Sequence, residues 1–486
     1  MKNRQMFVLL DKITHNLPIT ENNNNNNNNF EFYNWNNSLL NDNGVNKEHV
    51  LCIGQVQSGK TKNMENIIIN GVKNGYCLII VLAGINKILF GQTNNRLQNN
   101  INMDKTRFID KHWFDKIKIN IESGNNVIVN VLKTYKQLND LFDYIDNINL
   151  VNKKVLIIDD ECDFASVNIS PENESKIYSL ISKLYNRIHI GKLASFTGTP
   201  FANILSSNSE ELYPNRLVVL KHYDNYCGLH YFNNSNNYIL TDFKKNENIS
   251  IIYRKVFIQW LISTSGGLID DEYFKSELLI NVEINNSKQE IIFKNIIEIF
   301  DLFYKNIQNE DWIKKIIIKW CEDKSIIEEY TVDLIYKKIK EIIVYLHNDI
   351  ENCFILLNAD NDSEKFKSGK KKFCIIVGGY MISRGFTFEY LTIELFLNVP
   401  NESKVAVDTL LQRCRWFGNR KKNNRIKFLK IFMNKKVLDS LKESESYLDL
   451  FQGGVSTKNI SYYVEKINIL DKININVEST SAIKRK

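Results

Sequence analysis

The chain is 486 residues long and 43% hydrophobic, enough for sizeable cores and, at ~150 residues each, for two or three domains. Its formal net charge of +7 suits an anionic partner without requiring one. The eight cysteines contain no C-x-x-C pair, which argues against a zinc ribbon and fits buried thiols in a reducing compartment. No stretch approaches the ~20 apolar residues of a membrane helix, and the run Met6–Leu10 is too short for a signal peptide. The expectation is a cytoplasmic protein with no membrane partner.

Residues 1–45 read as a short amphipathic helix ending near Pro18, then a linker carrying the unbroken asparagine tract Asn22–Asn29. Such a tract buries no apolar surface. From Val50 onward, short apolar runs alternate with amphipathic stretches, the pattern of an α/β fold built on parallel sheets. Strands are expected at 50–53, 77–84, 125–133, 155–158 and 193–196, completing a first lobe over 46–215. Residues 216–275 read as a polar, aromatic and then helical connector. A second strand series follows at 277–282, 353–357, 373–377, 391–395 and 425–429, interrupted by an Ile- and Lys-rich helical insertion over about 288–349. It defines a second lobe over 276–445, with a tail over 446–486 that ends in Lys484-Arg485-Lys486.

The first expected strand runs into Gly54-Gln55-Val56-Gln57-Ser58-Gly59-Lys60-Thr61, which fills every fixed position of the P-loop pattern. Its glycines let backbone N–H groups curl around phosphate, and the following helix points its positive end at the same place. Gly54, Gln57, Ser58, Gly59, Lys60 and Thr61 are therefore the candidate ATP-binding residues, with the Thr61 hydroxyl on Mg²⁺. The fourth strand ends in Asp159-Asp160-Glu161-Cys162-Asp163. There Asp160 is expected to hold Mg²⁺ and Glu161 to polarise the attacking water. Thr197-Gly198-Thr199-Pro200 ends the next strand, where its hydroxyls can sense those carboxylates.

In the second half, Gly378–Thr387 follows a strand and Gln412–Arg420 ends a helix. Triphosphate hydrolysis between two lobes needs a guanidinium from the opposite lobe, worth ~10³–10⁵ in rate. Arg415 and Arg420 are the candidates, with Gln412 beside them. Trp416 and Phe417 read as core anchors.

Five stretches, Gly54–Thr61, Ile157–Ser166, Phe196–Leu205, Gly378–Thr387 and Gln412–Arg420, stand in the order of superfamily-two helicase motifs. In detail they resemble the Z1 domain family, whose name carries the word endonuclease, over roughly 48–435. Cys414 stands where that family has glycine, and Asn419 where it has an aromatic residue. The resemblance implies two RecA-like lobes, hydrolysis of ATP with Mg²⁺, a DNA or other nucleic-acid substrate, and partner proteins encoded near phage-defence genes. Thr93, Arg96, Lys133, Ser383, Arg384 and Thr387 are the positions where such lobes hold nucleic-acid phosphates. Two alternatives remain: a Mg²⁺-dependent endonuclease switched by nucleotide, and a nucleotide-binding scaffold that does not hydrolyse. The one E-x-K near the first lobe, Glu172-Asn173-Glu174-Ser175-Lys176, lies in a polar loop and not on a sheet where carboxylates gather around metals.

Overall fold

The computed structural model describes residues 46–480 except 85–86, 102, 169–173, 208–209, 242–248, 283–284, 359–365, 380–381, 383–385, 398–403, 421, 452–453 and 456–457. The expected N-terminal helix, the asparagine tract and the basic end at 484–486 lie outside the described residues.

The first sheet is built from β1 (Lys47–Ile53), β2 (Tyr76–Ala83), β3 (Thr106–Ile109), β4 (Asn126–Leu132), β5 (Lys154–Asp160), β6 (Ile190–Thr197) and β7 (Arg216–Val219). With β17 (Gly454–Val455) from the chain's far end, its order is β17-β7-β1-β6-β5-β2-β4-β3. All neighbours are parallel except β17 on β7. Helices cover a parallel sheet on both faces, so its strands read as continuous apolar runs. That is what Leu78–Leu82 and Val155–Ile158 show, each residue at 1% exposure or less.

The connector contributes β8 (Tyr226–Cys227) and β9 (Tyr238–Leu240). The second sheet adds β10 (Ser276–Asn281), β11 (Phe354–Leu357), β12 (Phe373–Gly378), β13 (Leu391–Phe396) and later β16 (Lys430–Met433), in the all-parallel order β11-β12-β10-β13-β16-β9. The fold class read from the sequence is thus the observed one: two RecA-like α/β lobes with a helical insertion. Between β10 and β11 lie the helices Asn286–Lys305, Glu310–Trp320, Lys324–Glu329 and Val332–Asn348. Asn285, Asn309, Asp323 and Thr331 each accept a backbone N–H at one of their N-termini, the chemistry that starts helices. This insertion packs on the 22-residue helix Ile249–Asp270, which carries buried Tyr253, Phe257, Trp260 and Leu261 into one core with Phe300, Phe303 and Ile339.

Three features differ from the sequence reading. Residues 425–429 are no strand: Lys422–Phe428 is a 3-10 turn and the strand follows it. The turn is closed by Asn237, whose Nδ2 donates to the Ile426 and Leu429 carbonyls at 2.9 and 2.5 Å. The first sheet also extends past residue 215, through β7 and through β17 (Gly454–Val455). Finally, the tail is part of the core. Tyr463, Ile467 and Leu470 of helix Ile460–Ile473, and Val477 of β18 (Val477–Glu478), join a cluster holding Leu51 and Phe201 of the first lobe and Leu410 and Trp416 of the second. β18 pairs with β14 (Val405–Ala406), just ahead of helix Val407–Arg413.

Candidate nucleotide site between the lobes

The site gathers at the carboxyl ends of β1, β5 and β6, where ligands of parallel α/β sheets bind. As β1 ends, the Gly54 N–H donates to the Thr197 carbonyl at 3.0 Å, tying the P-loop to the end of β6. The loop then turns through Gln57 at φ 59° and Gly59 at φ 94°. The left-handed conformation at Gly59 is one that glycine adopts without strain. Gly59 caps helix Lys60–Lys73 with no side-chain hydrogen bond, so the first N–H groups of that helix face the loop. The Lys60 ammonium lies 3.4 Å from the Gly54 carbonyl, folded across the loop.

The carboxylates at the end of β5 have different surroundings. Asp159 is fully buried and accepts from the Lys133 ammonium at 2.9 Å. Lys133 also donates to the backbone carbonyls of Asp160 at 2.6 Å and Glu161 at 2.9 Å. Lys133 is itself 1% exposed. It is therefore no phosphate contact on a rim, as the sequence suggested, but an internal cation that fixes the acidic loop. Asp160 is turned toward the P-loop: burial, then the Glu161 charge, raise its pKa to about 7, while Lys60 and Lys133 pull it down. Glu161 sits at φ 53°, ψ 51°, a left-handed conformation that costs a non-glycine residue of order 1–3 kcal/mol. Such strain persists only where surroundings impose it, and Lys133 grips the carbonyls on both sides of that residue's N–H.

Beyond Glu161, Asp163 accepts the Thr197 hydroxyl at 3.0 Å on one oxygen and the Thr199 hydroxyl at 2.9 Å on the other. The second lobe enters here. Gln412, at the end of helix Val407–Arg413, points its Nε2 at Thr199 Oγ1 (3.1 Å) and at Glu161 Oε2 (3.4 Å). One amide thus touches both the candidate catalytic carboxylate and the threonine behind it.

Arg415 and Arg420 are 3% and 7% exposed. Arg415 donates to the carbonyls of Phe386 (3.2 Å) and Gln412. Arg420 donates to Trp416 O (3.0 Å), Phe388 O (2.6 Å), Glu389 O (3.2 Å) and Arg415 O (2.9 Å). The loop itself abuts the P-loop: a Cβ on Gly418 would stand 3.5 Å from Gln57 Oε1 and 3.8 Å from Arg420 Nε. Both arginines lie in the seam, but their N–H groups brace their own lobe's backbone. The expectation that one is poised over a phosphate is corrected to that extent. Cys414 is accommodated by burial, its thiol 3.3 Å from the Leu410 carbonyl.

Among the other nucleic-acid candidates, Thr93 is buried, Arg96 and Thr387 are exposed, and Ser383 and Arg384 fall outside the described residues. The connector's part went unread in the sequence. The Tyr226 hydroxyl donates to the Val56 carbonyl of the P-loop at 2.6 Å, and β8 pairs antiparallel with β15 (Gly418–Asn419). Connector, P-loop and arginine loop therefore form one seam. Only the aromatic density of that stretch hinted at burial there. Among the described residues, no three His, Cys, Asp or Glu side chains converge as metal ligands.

The Z1 domain model matches residues 257–463. These residues are similar to a Z1 domain. The match begins inside helix Ile249–Asp270, takes in the second sheet and the Gln412–Arg420 loop, and ends in helix Ile460–Ile473. The P-loop and Glu161 precede it. No curated protein matches the chain.

Solved structures similar in outline include S. cerevisiae Dbp5 bound to RNA and ADP BeF3, at 13% identity and TM-score 0.44, with 88% of this chain and 89% of that one covered. A second is the DUF1998 helicase MrfA bound to DNA and AMPPNP, at 10% identity and TM-score 0.47, covering 91% and 53%. A third is the Type ISP restriction-modification enzyme LlaBIII bound to DNA, at 12% identity and TM-score 0.45, covering 94% and 33%.

Proposed function

We propose that the chain is a nucleic-acid-dependent ATPase of helicase or translocase type, working in the cytoplasm with partner proteins of a phage-defence system. The carrying observation is the Gln412 amide, which leaves the second lobe to meet Glu161 and Thr199 of the first. A side chain so placed makes lobe closure and the state of the catalytic carboxylate one event.

The residues present fit a magnesium–triphosphate. The P-loop N–H groups and the positive helix end receive phosphate oxygens, and Lys60 adds a mobile charge. Thr61 and Asp160 supply hard oxygen ligands, and magnesium would lower the charge opposing attack on the terminal phosphate. Glu161 orients the attacking water, and its left-handed backbone is held by Lys133. The Asp163–Thr197–Thr199 group carries the state of the site toward Gln412. Nucleic acid, DNA in the first instance, would be held through sequence-independent, salt-sensitive contacts to which exposed Arg96 and, as the family resemblance implies, Ser383 and Arg384 contribute.

The test is ATP turnover with and without single- or double-stranded DNA, for wild type, Lys60→Ala and Glu161→Gln. Stimulated turnover in wild type, lost in both variants, is expected; equal turnover in all three would refute the proposal. One observation favours a second reading: Arg415 and Arg420 both donate to backbone carbonyls of their own lobe. A scaffold that binds ATP without hydrolysing it would keep them so, and tight ATP binding with no turnover on any nucleic acid would select it.

A further inference from the structure

Helix Val407–Arg413 carries Gln412 to the first lobe, and its start is held by chain from far downstream. Residues 474–480 run beside it as a strap. The Val405 N–H donates to the Asn476 carbonyl at 2.9 Å, and Val405 and Ala406 pair with Val477 and Glu478. The Thr480 hydroxyl then donates to Asp408 Oδ2 at 2.6 Å. Asp408 stands one helical turn before Gln412, the spacing that puts two side chains on one face. We infer that Thr480 and Asp408 are positioning residues for the proposed hydrolysis: the strap fixes the first turn of this helix and so sets where the Gln412 amide stands against Thr199 and Glu161. The inference rests on the ATPase reading above and adds to it which residues, outside the helicase-like motifs, hold the link between the lobes.

The first ground is the weakness of the helix itself. It has 7 residues, about two turns, and so short a helix takes its stability and direction from what packs on it. Its N-cap is Ala406, which offers no side-chain acceptor to the first N–H groups. Asp408 supplies one instead. Its Oδ1 accepts the Thr409 N–H at 2.6 Å and the Thr409 hydroxyl at 3.3 Å, which leaves Oδ2 for Thr480. One carboxylate thus ties the first turn to itself and to the strap. The second ground is charge. Asp408 is mostly buried; burial above all, and the Asp163 charge among the lesser causes, raise its pKa, while the Thr480 and Thr409 hydrogen bonds pull it down. Asp163 belongs to the first lobe and holds Thr197 and Thr199, and Gln412 reaches that same Thr199. Two acids therefore repel across the seam one turn from the amide that joins it, and the Thr480 hydroxyl offsets that repulsion by stabilising Asp408 as an acceptor.

The third ground is that the strap is itself rigidly held, as a positioning element must be. The Asn476 N–H and side-chain amide donate to the two oxygens of Glu443 at 2.8 and 2.7 Å. The Ser479 N–H and hydroxyl donate to the two oxygens of Asp471 at 2.7 and 2.9 Å. The Lys404 ammonium, just ahead of the paired strand, donates to the Asn474 carbonyl at 2.7 Å. The Tyr447 hydroxyl donates to the same Asp471 at 2.8 Å, and its ring meets Phe201 of the first lobe edge-on at 5.8 Å. Ser479 and Thr480 are sealed from solvent. Hydroxyls buried in a paired network of this kind have little freedom, because each lost bond leaves a desolvated polar group. Thr480 is thus a fixed donor, and the helix start is placed against it.

The experiment uses the full chain. Thr480→Val removes the hydroxyl and keeps the volume. DNA-stimulated ATP turnover should fall roughly tenfold, the order that a small misplacement of a catalytic group costs. ATP affinity, read by calorimetric titration, should be unchanged, because no P-loop residue is touched. Thr480→Ser keeps the hydroxyl and should turn over close to wild type. In the Gln412→Ala background Thr480→Val should add little, since residues that act through one another are not additive. Urea midpoints confirm that each variant is folded. Equal losses in Thr480→Val and Thr480→Ser, or a further loss of roughly tenfold on top of Gln412→Ala, would overturn the inference. Backbone hydrogen exchange gives a readout that needs no turnover. Thr480→Val should exchange faster over 407–413 and as wild type over 60–73, and unchanged exchange over 407–413 would equally overturn it. A wild type that hydrolyses no ATP on any nucleic acid would refute the ATPase reading above, while the exchange result would still decide whether the strap sets this helix.

Discussion

The Lys133 ammonium lies 2.9 Å from Asp159 Oδ1, and both side chains are sealed from solvent. Burying two charges is costly, and removing one partner is costlier still, because the other remains uncompensated. Lys133→Met should therefore destabilise the fold by about 3–5 kcal/mol, read as a shift in the urea midpoint. Lys133→Arg should not rescue it: the site takes a compact ammonium that donates to Asp159 and to two carbonyls, and a planar guanidinium cannot match that fork. If Lys133 served nucleic acid, the midpoint would stay put and only the salt dependence of DNA binding would change.

Gln412 carries the link between lobes, and its loss separates binding from hydrolysis. Gln412→Ala removes the contacts to Thr199 and Glu161 but touches no P-loop residue. ATP affinity should hold while nucleic-acid-stimulated turnover falls by roughly tenfold to a hundredfold, the loss typical of a misplaced catalytic group. Steady-state turnover and equilibrium nucleotide binding, measured on the same preparation, check both halves.

Much of this site could be read from local pattern. The P-loop requires fixed residue types at fixed spacing, and the acidic cluster directly follows a run of buried strand residues. Gln412 is a candidate in the sequence because its motif stands in a known order. Lys133 was misjudged because sequence shows a charge and not its burial. Nothing in Asn130-Val131-Leu132-Lys133 says that the strand aims its lysine inward at Asp159, 26 residues on. The arginines were misjudged for a related reason: their motif marks the seam correctly, but the carbonyls of Phe386, Phe388 and Trp416 that engage them come together only in the fold. The seam's third member, Tyr226, and the tail's place in the core are long-range packing facts with no periodic signature. The displaced strand after Arg425 follows from Asn237, a single amide nearly two hundred residues earlier.

A buried acid in the second lobe sets a pH dependence. Glu394 is fully buried, and burial pushes its pKa up to about 8, against the smaller opposing pulls of the Asn281 hydrogen bond and the Arg415 and Arg420 charges. Its Oε1 accepts from Asn281 at 3.0 Å, and its Oε2 has no hydrogen-bond partner among the described residues, as suits a protonated carboxyl. With the folded pKa above the usual 4.5, the native state holds this proton more tightly than the unfolded chain. Its contribution is full below the unfolded pKa, declines as pH rises from there to about 8, and is flat beyond. Glu394→Gln keeps shape and removes the ionisation. Urea denaturation at pH 5, 6, 7 and 8 should show the variant losing less stability than wild type across that range. Parallel curves would mean that Glu394 does not titrate there.

Arg420 poses the sharpest choice between bracing and catalysis. Its guanidinium is 7% exposed and serves four backbone carbonyls, including that of Arg415. Burial lowers its pKa to about 10, low for arginine but high enough to stay charged at neutral pH. Arg420→Lys keeps the charge and loses the planar fork, leaving carbonyls unsatisfied at about 1–3 kcal/mol apiece. The expected result is a clear loss of stability in urea, with turnover falling because the seam beside Gln57 loosens. A residue acting only as a finger would instead lose ~10³–10⁵ in turnover at unchanged stability. Measuring both quantities on Arg420→Lys distinguishes a brace that positions the seam from a charge delivered to the phosphate.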